Sequence, residues 1–163
     1  MISTGVYSFL DVQASIKGPG GTFDIASGGV SDESIRIAMS ADKNTMTIGA
    51  NGDGMHSLKA SSASRVTISL LKTATGNAQM NEMYRYQAVS SAYWGQNVLT
   101  ITNPISGDSI TCTGGAFIKQ TDVGYSAEGA LNVWAFDFIA TSEILGNGYI
   151  STGLAAGLPV TAA

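Results

Sequence analysis

The chain reads as a mainly β protein: an antiparallel β sandwich or barrel with one α-helix at about residues 77–89. Three observations predict this. Apolar residues recur at every second position through most of the chain, the period of a strand with one buried face. Clusters of Gly, Pro, Asn and Asp punctuate these runs, as turn chemistry requires. Only one stretch changes period: Met80, Met83, Tyr84 and Gln87 fall at i, i+3, i+4 and i+7, a helical stripe that belongs against the sheet.

The elements follow in order. Val6, Leu10, Val12, Ala14 and Ile16 alternate with polar or aromatic neighbours and predict a long first strand. Gly18-Pro19-Gly20-Gly21 reverses it, Pro fixing one φ and Gly supplying positive-φ positions, and Phe23 to Ile25 starts the return. Ile35, Ile37 and Met39 form a further strand. Asp42-Lys43-Asn44 reads as a hairpin turn before the alternation of Thr45 to Ala50. From Asn51 to about Ala63 the chain is Gly- and Ser-rich, predicting a loop longer than connections usually are. Val66, Ile68 and Leu70 make the next strand, and Thr75 or Asn77 is placed to cap the helix. Val98–Thr102 and Ser109–Thr113 flank a turn at Pro104–Asp108, forming a hairpin, and Gly114-Gly115 predicts a bulge. In the last strand Trp134, Phe136 and Phe138 share one face and Val133, Ala135, Asp137 and Ile139 the other, which predicts burial on both sides. All 163 residues are expected to form a single domain, 1–163, with 146–163 as an extended C-terminal tail.

Charge is scarce. Asp, Glu, Lys and Arg make up 12% of the chain, against ~25% in ordinary soluble domains. None occurs between Tyr86 and Gly107, or from Ile144 to Ala163. The polar faces of the strands carry Thr, Ser, Asn, Gln and Gly instead. A lone subunit needs charge there for solubility and to protect its strand edges, so a chain without it is expected to cover those faces with copies of itself. The net charge of −4 is unevenly spread: acids and bases balance at seven each through Arg85, and five acids then face Lys119 alone. No basic patch forms, which argues against tight nucleic-acid binding. The uncharged C-terminal stretch is broken by Gly146, Gly148, Gly153, Gly157 and Pro159, so no membrane span is expected. The N-terminus lacks the basic segment of a secretory leader. Cys112, the single cysteine, is expected to be a small buried apolar residue.

Catalytic patterns are missing or misplaced, and no enzyme, cofactor or metal site is expected. Gly107-Asp108-Ser109-Ile110 imitates the nucleophile motif of the GDSL lipases, but it falls in a hairpin and the one histidine, His56, precedes it. Asp53, His56 and Ser57 are too close in sequence to align as orienter, base and nucleophile. One His and one Cys exclude common zinc sites, and Asp42, Asn44 and Asp53 lack calcium-loop spacing. Tyr93-Trp94 and Tyr125 leave open a carbohydrate-binding β module.

Several runs read together: Tyr7-Ser8-Phe9; Gly18-Pro19-Gly20-Gly21 with Phe23; Asp42 through Ala50; Met55-His56-Ser57-Leu58; and Leu70-Leu71-Lys72-Thr73 ahead of Asn77-Ala78. In this order, over about Val6 to Leu145, they resemble the tail-tube subunits of contractile-tailed bacteriophages. The resemblance implies a tube fold shared with R-type pyocins and the Hcp protein of type VI secretion. Six subunits would form a ring, rings would stack into a tube, and the tube would conduct phage DNA as a passenger that does not stick. It also implies tail sheath, baseplate and tail terminator as partners, and a place in the virion tail after assembly in the host bacterial cytoplasm. Another ring-forming tail protein, a terminator or neck component, is the alternative. On this reading Asp42, Lys43, Asn44, Asn51, Asp53, Met55, His56 and Ser57 are candidates for contact between subunits or rings. DNA must slide without sticking, so the wall is expected to be acidic or neutral, and the acid excess after Arg85 makes Asp108, Asp122, Glu128 and Asp137 candidates for the lumen.

Overall fold

A computed structural model describes residues 5–25 and 30–146, with backbone only at 30–34. Of the expected C-terminal tail, residues 147–163 lie outside the described residues. A short 3-10 helix at Phe9–Asp11 leads into β1 (Gln13–Gly18) and β2 (Gly21–Asp24). Then come β3 (Val30–Met39), β4 (Asn44–Ile48), β5 (Gly54–Leu58) and β6 (Ser64–Leu70). The helix α1 (Gly76–Gln87) precedes β7 (Asn97–Asn103), β8 (Asp108–Phe117) and β9 (Asn132–Ile144).

Seven strands form one antiparallel sheet in the order β2-β1-β7-β8-β9-β6-β3, and β4 and β5 pair separately. The expected mainly β, antiparallel architecture with one helix is therefore present, realised as a single curled sheet. The curl brings the β3 end of the sheet toward its middle strands: Ile35 and Ile37 of β3 line a cavity of about 280 Å³ with Ile101 of β7, Ile110 of β8 and Tyr7, Phe9 and Val12.

The core follows from the alternation. Val66, Ile68 and Leu70 of β6 and Trp134, Phe136 and Phe138 of β9 are fully buried, as are Ile16, Leu99 and Cys112. Phe117 centres the aromatic cluster, 4.4 Å from Phe136 and 5.4 Å from Tyr84 between ring centroids. The helix contributes Met80 and Met83, both buried, each stabilising by roughly 1.5–3 kcal/mol. Five hydrogen bonds seat it. Trp134 Nε1 donates to Asn77 Oδ1 at 3.2 Å, and Asn77 Nδ2 donates to the Leu71 carbonyl at 2.8 Å. Gln87 and Asn97 exchange amide hydrogen bonds at 2.7 and 3.0 Å, and Gln87 Nε2 also reaches the Pro19 carbonyl at 2.9 Å. The helix end is thus pinned to β7 and to the β1–β2 turn. Thr75 is the N-cap residue, without a side-chain hydrogen bond to the helix.

Three local expectations are corrected. The first strand does not begin at Val6, because Ser8 Oγ accepts from Leu10 N–H and nucleates the 3-10 turn, delaying extended backbone until Gln13. Asp42-Lys43-Asn44 is no hairpin turn: β3 and β4 do not pair, and the Lys43 carbonyl accepts from Lys59 N–H at 2.8 Å, so the chain runs straight on. The last strand is not covered on both sides. In a single sheet backed by one helix only the Trp/Phe face meets a core, and Val133 and Ile139 are left 46% and 74% exposed. The bulge at Gly114-Gly115 is as expected: Gly114 takes φ +67°, and the β7–β8 register slips between Asn97↔Gly115 and Leu99↔Cys112.

Candidate assembly surface

The stretch expected as a loop is a β-arm. Met39 pairs with Ser64 at the end of the β3–β6 ladder, Ser40 N–H reaches the Ala63 carbonyl, and Lys59 N–H the Lys43 carbonyl. Asn44 then pairs with Leu58, and the ladder runs through Met46↔His56 to Ile48↔Gly54. β4 and β5 therefore continue β3 and β6 beyond the sheet. The reversal sits at Gly49–Asp53: Gly52 takes φ +91°, Gly49 N–H donates to the Asp53 carbonyl at 2.7 Å, and the Asn51 side chain bridges to the Asp53 carboxylate.

Residues opposite each other in an antiparallel pair share a face. One face of the arm thus presents Asn44, Met46, Ile48, His56 and Leu58, and the other Thr45, Thr47, Met55 and Ser57. Every residue of both strands is exposed; Met46, Ile48, Met55 and Leu58 are 59, 56, 60 and 86% accessible. A two-stranded hairpin is marginal in water without a packed face. The arm stands free of its own core with its apolar side chains exposed.

The site residues fall into two groups. Asp42, Lys43, Asn44, Asn51, Asp53, Met55, His56 and Ser57 all lie on this arm, brought together by the ladder. Lys43 Nζ braces its base, 3.4 Å from the Lys59 and Ala60 carbonyls, and the Asn44 amide lies 3.0 Å from His56 Nδ1. Asp108, Asp122, Glu128 and Asp137 are not gathered. Asp108 opens β8, where its carboxylate accepts from Gly146 N–H at 2.8 Å; that bond, and then the Ser106 hydroxyl, hold its pKa below the usual aspartate range. Asp122 pairs with Lys119 at 3.0 Å, and Glu128 lies in the exposed 126–129 turn, both near the opposite end of the sheet. Asp137 sits between them on the outer face, hydrogen-bonded to Arg65 at 2.9 and 3.3 Å across the β6–β9 ladder.

A family model for the bacteriophage PhiTE tail tube protein matches residues 4–146, nearly the whole described chain. The chain belongs to the PhiTE tail tube protein family. Among solved structures, the tube-terminating cap of the anti-feeding prophage superposes with a TM-score of 0.53 at 10% identity, covering 90% of this chain and 95% of that one. The sheath/tube terminator of the PVC extracellular contractile injection system gives 0.46 at 11% identity, covering 82% and 92%. At such identity the cap similarity establishes the fold. No curated protein sequence matches the chain.

Membership of this tail tube family makes the chain a structural protein and not an enzyme. The geometry agrees at the points where sequence imitated catalysis. Ser57 and His56 are strand neighbours and face opposite sides of the arm, while Asp53 is engaged by Asn51. Gly107 takes φ +83° in the β7–β8 turn, so Gly107-Asp108-Ser109-Ile110 is turn chemistry. Among the described residues no group of three or more His, Cys, Asp and Glu is placed to hold a metal ion, and no helix is long and apolar enough to cross a membrane. Burial raises the pKa of the Cys112 thiol, so it stays protonated within the core.

Sequence reasoning missed two features of this tail-tube chain. Met46, Ile48 and Leu58 were not singled out, although Met46 and Ile48 alternate visibly. The outer face of the sheet was also missed, because its row of hydroxyls becomes contiguous only when the strand register is known.

Proposed function

We propose that this chain is the tail-tube subunit of a contractile-tailed bacteriophage. Six copies form a ring, and rings stack head to tail around a channel through which DNA leaves the virion. Tail sheath, baseplate and terminator are its partners, and assembly takes place in the cytoplasm of the host bacterium. The observation that carries this reading is the β4–β5 arm, an apolar hairpin projecting beyond its own sheet in a member of a tail tube family. Open-ended growth needs a surface that fits a different surface on the next copy, and a projecting arm supplies one half of such a pair. The 22 large apolar side chains exposed among the described residues further indicate a subunit that buries surface on assembly.

A second reading is a terminator that closes the tube, favoured by the fold shared with the anti-feeding prophage cap. Electron microscopy of the purified protein separates the two. Tubes of repeating rings are expected; closed single rings that never stack would replace the tube reading with the terminator one. A dispersed monomer at micromolar concentration would remove both. Replacing Met46, Ile48 and Leu58 together by Ser should leave a folded subunit that makes no long tubes.

A further inference from the structure

The outer face of the sheet carries a strip unlike the rest of the surface. In register, Ser15 of β1 stands opposite Thr100 of β7, Thr100 opposite Thr111 of β8, and Thr111 opposite Ser142 of β9. The row beside it runs Gln13, Thr102 and Ser109. The intervening residues Ala14, Ile16, Leu99, Ile101 and Cys112 are buried, so both rows point away from the core. Four strands thus present a patch of hydroxyls with one amide and no charge, bordered at its β9 edge by the exposed Ile144 opposite Ser109. The cations on this side of the sheet stand outside it: Lys17 at the end of β1, Arg36 on the edge strand β3, and Arg65, whose guanidinium is bonded to Asp137.

The strip suits neither usual role of an exposed sheet face. A solvent face carries Lys and Glu for solubility. A face that docks dry against protein carries apolar or aromatic anchors in its centre, as the arm does and the strip does not. A wall of short hydroxyls stays hydrated, yet offers no cation. A phosphate backbone gains affinity chiefly by exchanging counterions for Lys and Arg, so such a wall gives passing nucleic acid nothing to hold.

We infer that the strip formed by Ser15, Thr100, Thr102, Ser109, Thr111 and Ser142 lines the channel, which makes the wall next to the DNA a neutral hydroxyl surface rather than an acidic one. This rests on the tube reading above. Asp108, Asp122 and Glu128 then lie off the wall, at the two ends of the sheet.

Thiol accessibility in assembled tubes tests it. Thr111→Cys, with Ser142→Cys as a second variant in the same strip, is assembled, checked for tubes by electron microscopy, and treated with a small maleimide or with one carrying a long polyethylene glycol chain. The native Cys112 is buried and should react with neither, as wild-type tubes will verify. A channel position should label throughout the tube with the small reagent and lose nearly all labelling with the large one, while dissociated subunits take both. Equal labelling of intact tubes by both reagents puts the strip on the outside. Labelling by neither puts it in a contact between subunits. Either result overturns the assignment while leaving the tube reading intact, whereas wild-type protein that forms no tubes removes the tube reading and this inference with it.

Discussion

β9 and the β4–β5 arm use similar residues and meet opposite fates. In β9 the side chains of Trp134, Phe136 and Phe138 alternate with polar or small ones, and all three are buried, Trp134 against Phe117 and Asn77 of α1 and Phe136 against Phe117 and Phe138. In the arm Met46 and Ile48 alternate with Thr45 and Thr47 just as regularly, and both remain more than half exposed. Local pattern is the same; what differs is whether the chain supplies a second layer. The helix follows β6 directly and covers the sheet, whereas the arm has run past the sheet's end. Alternation reports that a strand has an apolar face, not that its own chain will bury it.

The sharpest way to break this comparison is to empty both regions. Phe136→Ala removes a ring from the centre of the aromatic cluster and should destabilise the subunit by about 3–5 kcal/mol, read as a lower urea midpoint. Met46→Ala with Ile48→Ala should leave that midpoint nearly unchanged, since exposed changes stay within about ±0.5 kcal/mol, and yet abolish large assemblies in sedimentation. A large loss of subunit stability from the arm pair would mean that the arm packs on its own sheet after all.

The contrast also explains what could be read in advance. Regions with their own second layer were legible: β6, β7, β9 and the Met80/Met83 stripe of α1 lie where period and turn residues put them. The arm was half legible. β4 alternates, but β5 contains Gly54, His56 and Ser57, poor strand formers, and its apolar residues Met55 and Leu58 point to opposite faces, so no period-2 signal exists. Its pairing comes from the Gly49–Asp53 reversal and from continuity with β6, which a window of sequence does not contain. The eight candidate contact residues lie on one element, the arm, where the sequence predicts a turn and a separate loop. The acidic candidates follow from the charge excess after Arg85, and Asp137 also from its place opposite the Trp134, Phe136 and Phe138 face; the charge count carries no geometry, and the sheet scatters the four.

A second expected effect probes how the covered region is held. Asn97→Leu removes the partner of Gln87 Oε1 in a buried pair. Leaving that oxygen unsatisfied should cost about 1–3 kcal/mol, and hydrogen exchange should show the last turn of α1 opening first. Replacing Gln87 and Asn97 together by Leu should recover part of the loss, because neither buried amide is then left unpaired and only the part-buried Pro19 carbonyl loses its donor. If the double variant is worse than the sum of the singles, shape rather than hydrogen bonding governs this contact.

The outer face should respond far less. Arg65 and Asp137 form an in-register pair that both side chains keep more than half exposed, where solvent screening removes most of its contribution. Arg65→Gln with Asp137→Asn should therefore leave the unfolding midpoint unmoved. Asp137→Asn alone should raise the protein's affinity for double-stranded DNA at low salt, by releasing the guanidinium from its partner, and added salt should erase the gain. A stability loss in the double variant would place this pair with the core rather than with the surface.

The smallest expected effect lies where β9 ends. Gly146 N–H and the Ser106 hydroxyl favour the charged form of Asp108 and hold its pKa below the usual aspartate range. A carboxylate whose pKa is depressed in the folded state stabilises that state above its unfolded pKa, and loses the contribution as pH falls through the folded value. The tie between the β7–β8 turn and the end of β9 is therefore complete at neutral pH and released only in acid, below the range in which ordinary aspartates titrate. Because this is one contact of a part-exposed carboxylate at a strand end, the global unfolding midpoint should barely register the change, and the Gly146 amide resonance should follow it. That resonance should shift with a midpoint under the normal aspartate value in the wild type and lose this titration in Asp108→Asn. A midpoint at or above the ordinary value would mean that the contact does not hold in solution, leaving the end of β9 held by its ladder to β8 alone.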